Sequence, residues 1–195
     1  MGPPPTPDHN SDLRAALTEL EGRTGQDGIK REVRKLVSLA EVNYERELDG
    51  QPLLDVSLNR LFLGNPGTGK TTTAAIYGRI LKGLGMLSDG AVELKQPSDF
   101  TGSAVGETSE KTAALIENCR GKVLVIDEAY GLNQGGSGGP GSSGSGFGYG
   151  KEALDTLVGK VNNAAGDDIA VIMCGYEEEM KEMLLNQNPG LQRRF

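Results

Sequence analysis

A short, mostly apolar run, Arg60-Leu61-Phe62-Leu63, leads directly into Gly64-Asn65-Pro66-Gly67-Thr68-Gly69-Lys70-Thr71, and a helical pattern follows from Lys70 to Leu84. This is the pattern G-x-x-x-x-G-K-[ST] in the setting its mechanism requires, straight after a strand and opening a helix. The glycines let the backbone wrap tightly, so that successive N–H groups point inward at phosphate oxygens. The helix N-terminus adds partial positive charge to the same spot. In such a loop Lys70 reaches β- and γ-phosphates, and the Thr71 hydroxyl is a ligand for Mg²⁺. The segment therefore predicts nucleotide binding and commits the chain to a strand–loop–helix unit.

The rest of the chain repeats that alternation. Apolar spacing predicts helices from Ser11 or Asp12 to Gly22 and over 29–48, then strand 60–63 and helix 70–84. Strand 91–94, helix 108–119, strand 122–126, helix 150–165, strand 169–174 and helix 177–188 complete the pattern. The strands read as continuous apolar runs, which implies burial on both faces. Strand–helix alternation with buried strands predicts an α/β fold, a parallel sheet sandwiched by helices.

Composition narrows the chemistry. Of 195 residues 29 are glycine, about twice the usual ~7 %, and the formal net charge is −7. The acidic balance argues against a nucleic-acid or anionic-membrane surface, which needs clustered Lys and Arg. No apolar stretch approaches the ~18–20 residues of a membrane span, and the first residues lack the apolar core of a secretory signal. The chain has one histidine, His9, and two cysteines, Cys119 and Cys174, which excludes His-based catalysis and Cys/His zinc sites. Both cysteines read as buried, reduced thiols of an intracellular, cytoplasmic protein. Residues 1–11 hold four prolines and read as a disordered lead-in. Between 131 and 150, ten residues are glycine and four are serine, a composition that predicts a mobile insertion loop inside the domain.

A second acidic signal completes the site. Val123-Leu124-Val125-Ile126 ends in Asp127-Glu128, and a buried strand must aim such charges at something, since burying them unpaired is costly. Beside the phosphate loop, Asp127 would orient the Mg²⁺ shell. Glu128 would act as general base on the water that attacks the γ-phosphate. The second acid favours ATP hydrolysis over transfer to a small acceptor. The guanine-reading Asn-Lys-x-Asp and the Leu-Ser-Gly-Gly-Gln of transporter ATPases are both absent.

Taken together, the run Leu63 to Thr72, Ile126-Asp127-Glu128-Ala129-Tyr130, Cys174-Gly175-Tyr176 and Asn188-Pro189-Gly190-Leu191-Gln192-Arg193-Arg194-Phe195 resembles the AAA+ ATPases. Within them it is similar to the branch containing red-type rubisco activase and the stage V sporulation protein K relatives. The resemblance covers residues 20–195 and implies a P-loop NTPase large subdomain. It implies ATP contacts along Gly64, Asn65, Pro66, Gly67, Thr68, Gly69, Lys70, Thr71 and Thr72, with Thr71 and Asp127 on Mg²⁺. It places the segment Gly25 to Ile29, including Asp27 and Gly28, at the adenine pocket. Arg194 matches an arginine finger acting in trans on a neighbouring subunit's ATP, with Arg193 as the alternative. A ring, a hexamer in such relatives, and a protein client are the implied partners.

Two departures temper the resemblance. At the first pore loop the threading relatives carry an aromatic, an aliphatic and a glycine, where this chain has Ala104-Val105-Gly106. Alanine offers little grip on a translocating chain, which leaves Phe100 as the nearby aromatic. The sequence also stops at Phe195, before the fifth strand and the helical lid expected in relatives, so it reads as a fragment of a longer protein with an open sheet edge beside the first strand. The expected organisation is a tail at 1–11, N-terminal helices and adenine segment at 12–57, and the α/β core at 58–195. Two functions stay open at this stage: an ATPase that remodels a protein partner, and a nucleotide-binding assembly module with little hydrolysis.

Overall fold

The computed structural model describes residues 5–65, 67, 69–103, 106–133, 148–161, 164 and 166–195. Pro66, Thr68, Ala104, Val105 and most of the Gly/Ser-rich insert lie outside these residues.

Two helices open the chain, α1 (Ser11–Gly22) and α2 (Asp27–Leu48). Asn10 starts α1 because its side-chain oxygen accepts from the backbone N–H groups of Asp12 and Leu13, at 3.1 and 3.0 Å. Then follow β1 (Arg60–Leu63), α3 (Lys70–Gly83), β2 (Val92–Lys95), the single turn α4 (Pro97–Phe100), α5 (Glu107–Asn118) and β3 (Val123–Ile126). A 3₁₀ segment (Ala129–Asn133), α6 (Tyr149–Lys160), β4 (Ala170–Gly175), α7 (Glu177–Asn186) and α8 (Pro189–Arg194) complete it.

The four strands form one parallel sheet in the order β1-β4-β3-β2. Alternation along β3 and β4 builds two cores. Val123, Val125, Ala170, Ile172 and Cys174 join the buried residues of α1, α2 and α3 on one face. Leu124, Ile126, Val171 and Met173 join α5, α6, α7 and α8 on the other. Each fully buried Leu, Ile or Val contributes roughly 1.5–3 kcal/mol of apolar transfer, so both faces must be covered. The expected three-layer α/β sandwich is the observed one. Phe100, the aromatic that stood nearest the pore-loop segment, is fully buried in the second core; its ring is packing, not a substrate grip.

The entry to β1 is fastened from both sides. The Tyr77 hydroxyl donates to the Leu58 carbonyl at 2.9 Å, and the Val171 N–H donates to the buried Asn59 side chain at 2.9 Å. The Arg60 guanidinium stands over the Tyr77 ring, 5.9 Å from its centroid. Burial pushes the Tyr77 hydroxyl up to about 12, with the Arg60 charge opposing.

Helix α3 approaches the turn before β2 so closely that a side chain will not fit. A Cβ at Gly78 would overlap the Gly90 carbonyl oxygen and stand 3.0 Å from Val123 Cγ2. Gly159, in α6, has nothing within 4 Å of the same position. Alanine is the better helix former by about 0.8–1 kcal/mol at either site, so packing decides the sign. Gly78→Ala is expected to destabilise the fold by about 1–3 kcal/mol, and Gly159→Ala to leave it unchanged or slightly more stable. Urea unfolding midpoints of the two variants check this; equal midpoints would contradict the close approach.

Candidate functional site

The register of the sheet brings three segments to one level. Leu63 pairs with Gly175 and Ile126 with Met173, and the Gly64 N–H donates to the Gly175 carbonyl at 3.1 Å. The phosphate loop, the end of β3 and the end of β4 therefore leave the sheet together, at the carboxyl ends of parallel strands.

Between them lies a cleft of about 350 Å³, lined by Gly64, Gly67, Gly69, Lys70, Thr71, Thr72, Asp127 and Glu128 among others. Gly67 and Gly69 adopt φ of 77° and 79°, left-handed values that glycine takes without strain. They turn the chain into α3, whose first residue is Lys70. The Lys70 ammonium donates to the carbonyls of Gly64 at 3.0 Å and Asn65 at 2.8 Å. Glu128 follows β3 with φ 49°, left-handed for a non-glycine residue, and its N–H donates to Asp127 Oδ1 at 3.1 Å. Such backbone strain concentrates where a side chain must be aimed.

A second cleft of about 490 Å³ adjoins the first at Lys70 and runs between α2 and β1. Gln26, Gly28, Ile29, Arg31, Glu32, Arg60, Phe62 and Thr73 line it. Gln26 is the other non-glycine residue with positive φ among the described residues, at 63°. Its carboxamide oxygen lies 3.0 Å from the Thr73 hydroxyl, which ties the α1–α2 joint to the first turn of α3. The second cleft mixes apolar walls, Ile29, Leu61, Phe62 and Leu63, with the charged Arg31, Glu32 and Arg60.

Of the residues singled out from the sequence, Gly64, Gly67, Gly69, Lys70, Thr71, Thr72, Asp127 and Glu128 meet in the first cleft, and Gly28 lies in the second. Pro66 and Thr68 are outside the described residues. Asn65 takes part through its carbonyl. Asp27 is exposed at the start of α2 and is not among the residues lining either cleft. Arg194 is elsewhere: its Nε donates to the Val161 carbonyl at 2.7 Å and Nη1 to the Gly190 carbonyl at 3.0 Å.

The structure adds residues that spacing could not reveal. Tyr130 and Tyr176 line the first cleft with ring centroids 6.0 Å apart. Burial pushes the Tyr130 hydroxyl up, and the charge of the Glu128 carboxylate adds to the effect. Cys174 also lines this cleft, in addition to the packing role its sequence suggested.

Thr71 and Asp127, expected from the sequence to hold Mg²⁺, both line the first cleft with side-chain oxygens, as do Thr72 and Glu128. Among the described residues no three acid, His or Cys side chains form a preformed cage. Mg²⁺ keeps several waters and binds through one or two carboxylates plus substrate phosphates, so this donor set fits the ion.

Comparison with known proteins now decides the lineage. Residues 60–190 match the family described as "ATPase family associated with various cellular activities (AAA)". The chain belongs to that family. It is 36 % identical over 183 residues to stage V sporulation protein K of Bacillus subtilis, covering 94 % of this chain and 53 % of that protein. It is 34 % identical over 183 residues to the ESX-1 secretion system protein EccA1 of Mycobacterium tuberculosis, and 33 % to that organism's ESX-3 secretion system protein EccA3. These alignments cover 94 % of this chain but 30 % and 27 % of the two secretion-system proteins. The chain thus spans about half the length of the first relative and under a third of the others. Among the described residues no helix is long and apolar enough to cross a membrane.

The cleft predicts the behaviour of its thiol. Cys174 is pushed up to about 12, by burial first and then by the Asp127 carboxylate, with Lys70 opposing. A thiol raised in the folded state stays protonated there, so its contribution to stability is present below the ordinary value near 8.5 and is lost as pH rises toward 12. At pH 8.5 the folded protein is expected to resist iodoacetamide at Cys174, with rapid labelling after unfolding in urea. Mass spectrometry of the labelled peptide checks this; equal rates in both states would contradict the buried, protonated thiol.

Proposed function

We propose that this AAA-family chain binds ATP and hydrolyses it with Mg²⁺, within a ring of copies that remodels a protein partner. The observation that carries the proposal is the convergence of Lys70 and Thr71 with Asp127 and Glu128 in one cleft at the strand ends. Phosphate oxygens would take the inward N–H groups of the loop, together with the Lys70 ammonium once it leaves the Gly64 and Asn65 carbonyls. Thr71 and Asp127 would hold Mg²⁺, which when bound neutralises charge on the β- and γ-phosphates. Glu128 accepts a proton from water as its oxygen bonds to the γ-phosphorus; the bond to the β–γ bridging oxygen breaks, leaving ADP and inorganic phosphate. Two carboxylates on successive residues would divide the labour: Asp127, just past β3, would hold the metal, and Glu128, exposed and set apart by its left-handed backbone, would take the proton from the water.

Arg194 is proposed as the residue that reaches a neighbour's γ-phosphate, where charge spreads in the transition state. Its two intrachain carbonyl partners would have to be given up. That arrangement gives weight to a second reading, a nucleotide-binding assembly module with little hydrolysis of its own. The relatives' names, a sporulation protein and secretion-system proteins, share no single client, so the proposal stops at a protein partner.

ATP turnover by the intact protein separates the readings. Glu128→Gln is expected to bind ATP normally and lose about 10²-fold or more in kcat. Lys70→Ala is expected to lose ATP binding. Arg194→Ala is expected to lower turnover only at concentrations where subunits associate. Equal, slow turnover by wild type and Glu128→Gln would sink the hydrolysis reading and leave the assembly reading; unchanged ATP affinity in Lys70→Ala would sink the site itself.

A further inference from the structure

The joint between α1 and α2 carries a cation that the mechanism above does not use. Arg23 follows the last residue of α1 in extended conformation, and its backbone is fixed by α2: Lys30 Nζ donates to the Arg23 carbonyl at 2.6 Å and to the Glu21 carbonyl at 3.1 Å. From this anchored position the side chain reaches the phosphate loop. A Cβ built on Gly69 would stand 2.6 Å from Arg23 Nη2 and 3.8 Å from its Cζ. The guanidinium therefore fills the space a side chain at Gly69 would occupy, beside a residue that lines the phosphate cleft.

This is an unfavourable place for a positive charge unless an anion joins it. Gly69 is the N-cap of α3, whose amide dipoles already make that end positive. Lys70 is the next residue, and the first turn of α3 holds no acidic side chain. Among the described residues no carboxylate forms an ion pair with Arg23 or Lys70. The Arg23 Nε is also buried without a hydrogen-bond partner, and leaving a buried donor unmet is unfavourable. Three positive contributions thus meet at one loop, one of them with an unmet donor.

We infer that Arg23 is a further nucleotide-contacting residue: its guanidinium binds the phosphate chain on the nucleoside side of Lys70. The inference rests on the nucleotide reading of the cleft proposed above. Position supports the nucleoside side, because Gln26, three residues on, lines the second cleft and is tied to Thr73 in α3. Lys70 lies where the two clefts meet. A planar fork of N–H donors suits phosphate oxygens, and charge-assisted bonds of this kind are about twice as strong as neutral ones. Because the contact is near the nucleoside, ATP and ADP share it.

Titration of the intact protein with ATP, ADP and adenosine tests this, using wild type, Arg23→Gln, Arg23→Lys and Lys70→Ala. Arg23→Gln is expected to weaken ATP and ADP alike by about tenfold, with adenosine affinity unchanged and circular dichroism unaltered. Arg23→Lys, which keeps the charge but not the fork, is expected to recover part of the loss. Wild-type affinity for ATP and ADP in Arg23→Gln overturns the inference, as does an equal loss for adenosine, which would give Arg23 a packing role. If Arg23→Gln does not fold, Arg23→Lys decides: wild-type affinity for both nucleotides there overturns the bidentate contact. Where wild type binds ATP and Lys70→Ala does not, failure at Arg23 leaves the cleft assignment standing; if wild type binds no nucleotide, both fall.

Discussion

Strand β4 sets the geometry on which the site depends. Like β3 it is buried along its whole length, and it lies between two parallel neighbours, β1 and β3. Parallel pairing leaves no freedom in where the strand ends meet once register is chosen, and a slip by one residue would turn every side chain to the opposite core. The register is chosen by the alternation of Ala170, Ile172 and Cys174 toward one core and Val171 and Met173 toward the other. Asn59 reinforces it by accepting the Val171 N–H across the sheet from the entry to β1. With register held, Gly64 bonds Gly175, and Asp127 emerges beside them. The cleft follows from the sheet's hydrophobic pattern as much as from the motif residues.

How much of this was legible in the sequence differs by element. The phosphate loop, the acidic pair and the positions of the strands could be read because each rests on local chemistry: glycine at left-handed φ, a lysine opening a helix, and apolar runs. The expected burial on both faces holds for β3 and β4, whereas the edge strands β1 and β2 are half-buried. Helix starts were less legible where no side-chain cap marks them. Helix α2 begins at Asp27, two residues before its apolar stripe, after a left-handed Gln26 that no composition rule anticipates. The last helix read from the sequence, over 177–188, stops at Asn186 as α7, and a further helix, α8, that the pattern did not indicate starts at Pro189 with the Asn188 side chain accepting from Gly190 N–H. Phe100 illustrates the opposite failure. An aromatic near a loop of interest invites a functional reading, yet it is the anchor of α4 in the second core.

The residues to which sequence reasoning gave no place in the site share one property: they come to it through tertiary contact. Tyr130 and Tyr176 stand on separate segments and meet because Gly175 has no side chain; a Cβ there would lie 2.8 Å from Tyr130 Cδ1. Arg23 lies 47 positions before Lys70 and arrives at the loop only because α1 packs along α3. That packing is itself close: a Cβ on Gly83 would stand 2.8 Å from Leu13 Cβ. No spacing rule connects such pairs, since their proximity is set by helix packing over the sheet and not by a repeat along the chain.

The same contacts leave the nucleotide end of the molecule under load. Gln26 and Glu128 each hold a left-handed backbone that costs on the order of 1–3 kcal/mol in a non-glycine residue, and Arg23 keeps a buried donor unmet at similar cost. Against a usual total stability of about 5–15 kcal/mol, three such costs around one loop and its two clefts are not incidental. They persist because Lys30, the Gln26–Thr73 contact and the β4 pairing over-determine the local geometry. An anion in the loop would meet the unmatched donors and convert that load into binding, stabilising the fold in proportion to RT ln(1 + [L]/Kd). On a chain of net charge −7, Arg23, Lys70 and the start of α3 gather positive charge at the loop, which favours entry of an incoming nucleotide by its phosphates. The acidic surroundings repel the phosphates elsewhere, and the loop is where they can be held.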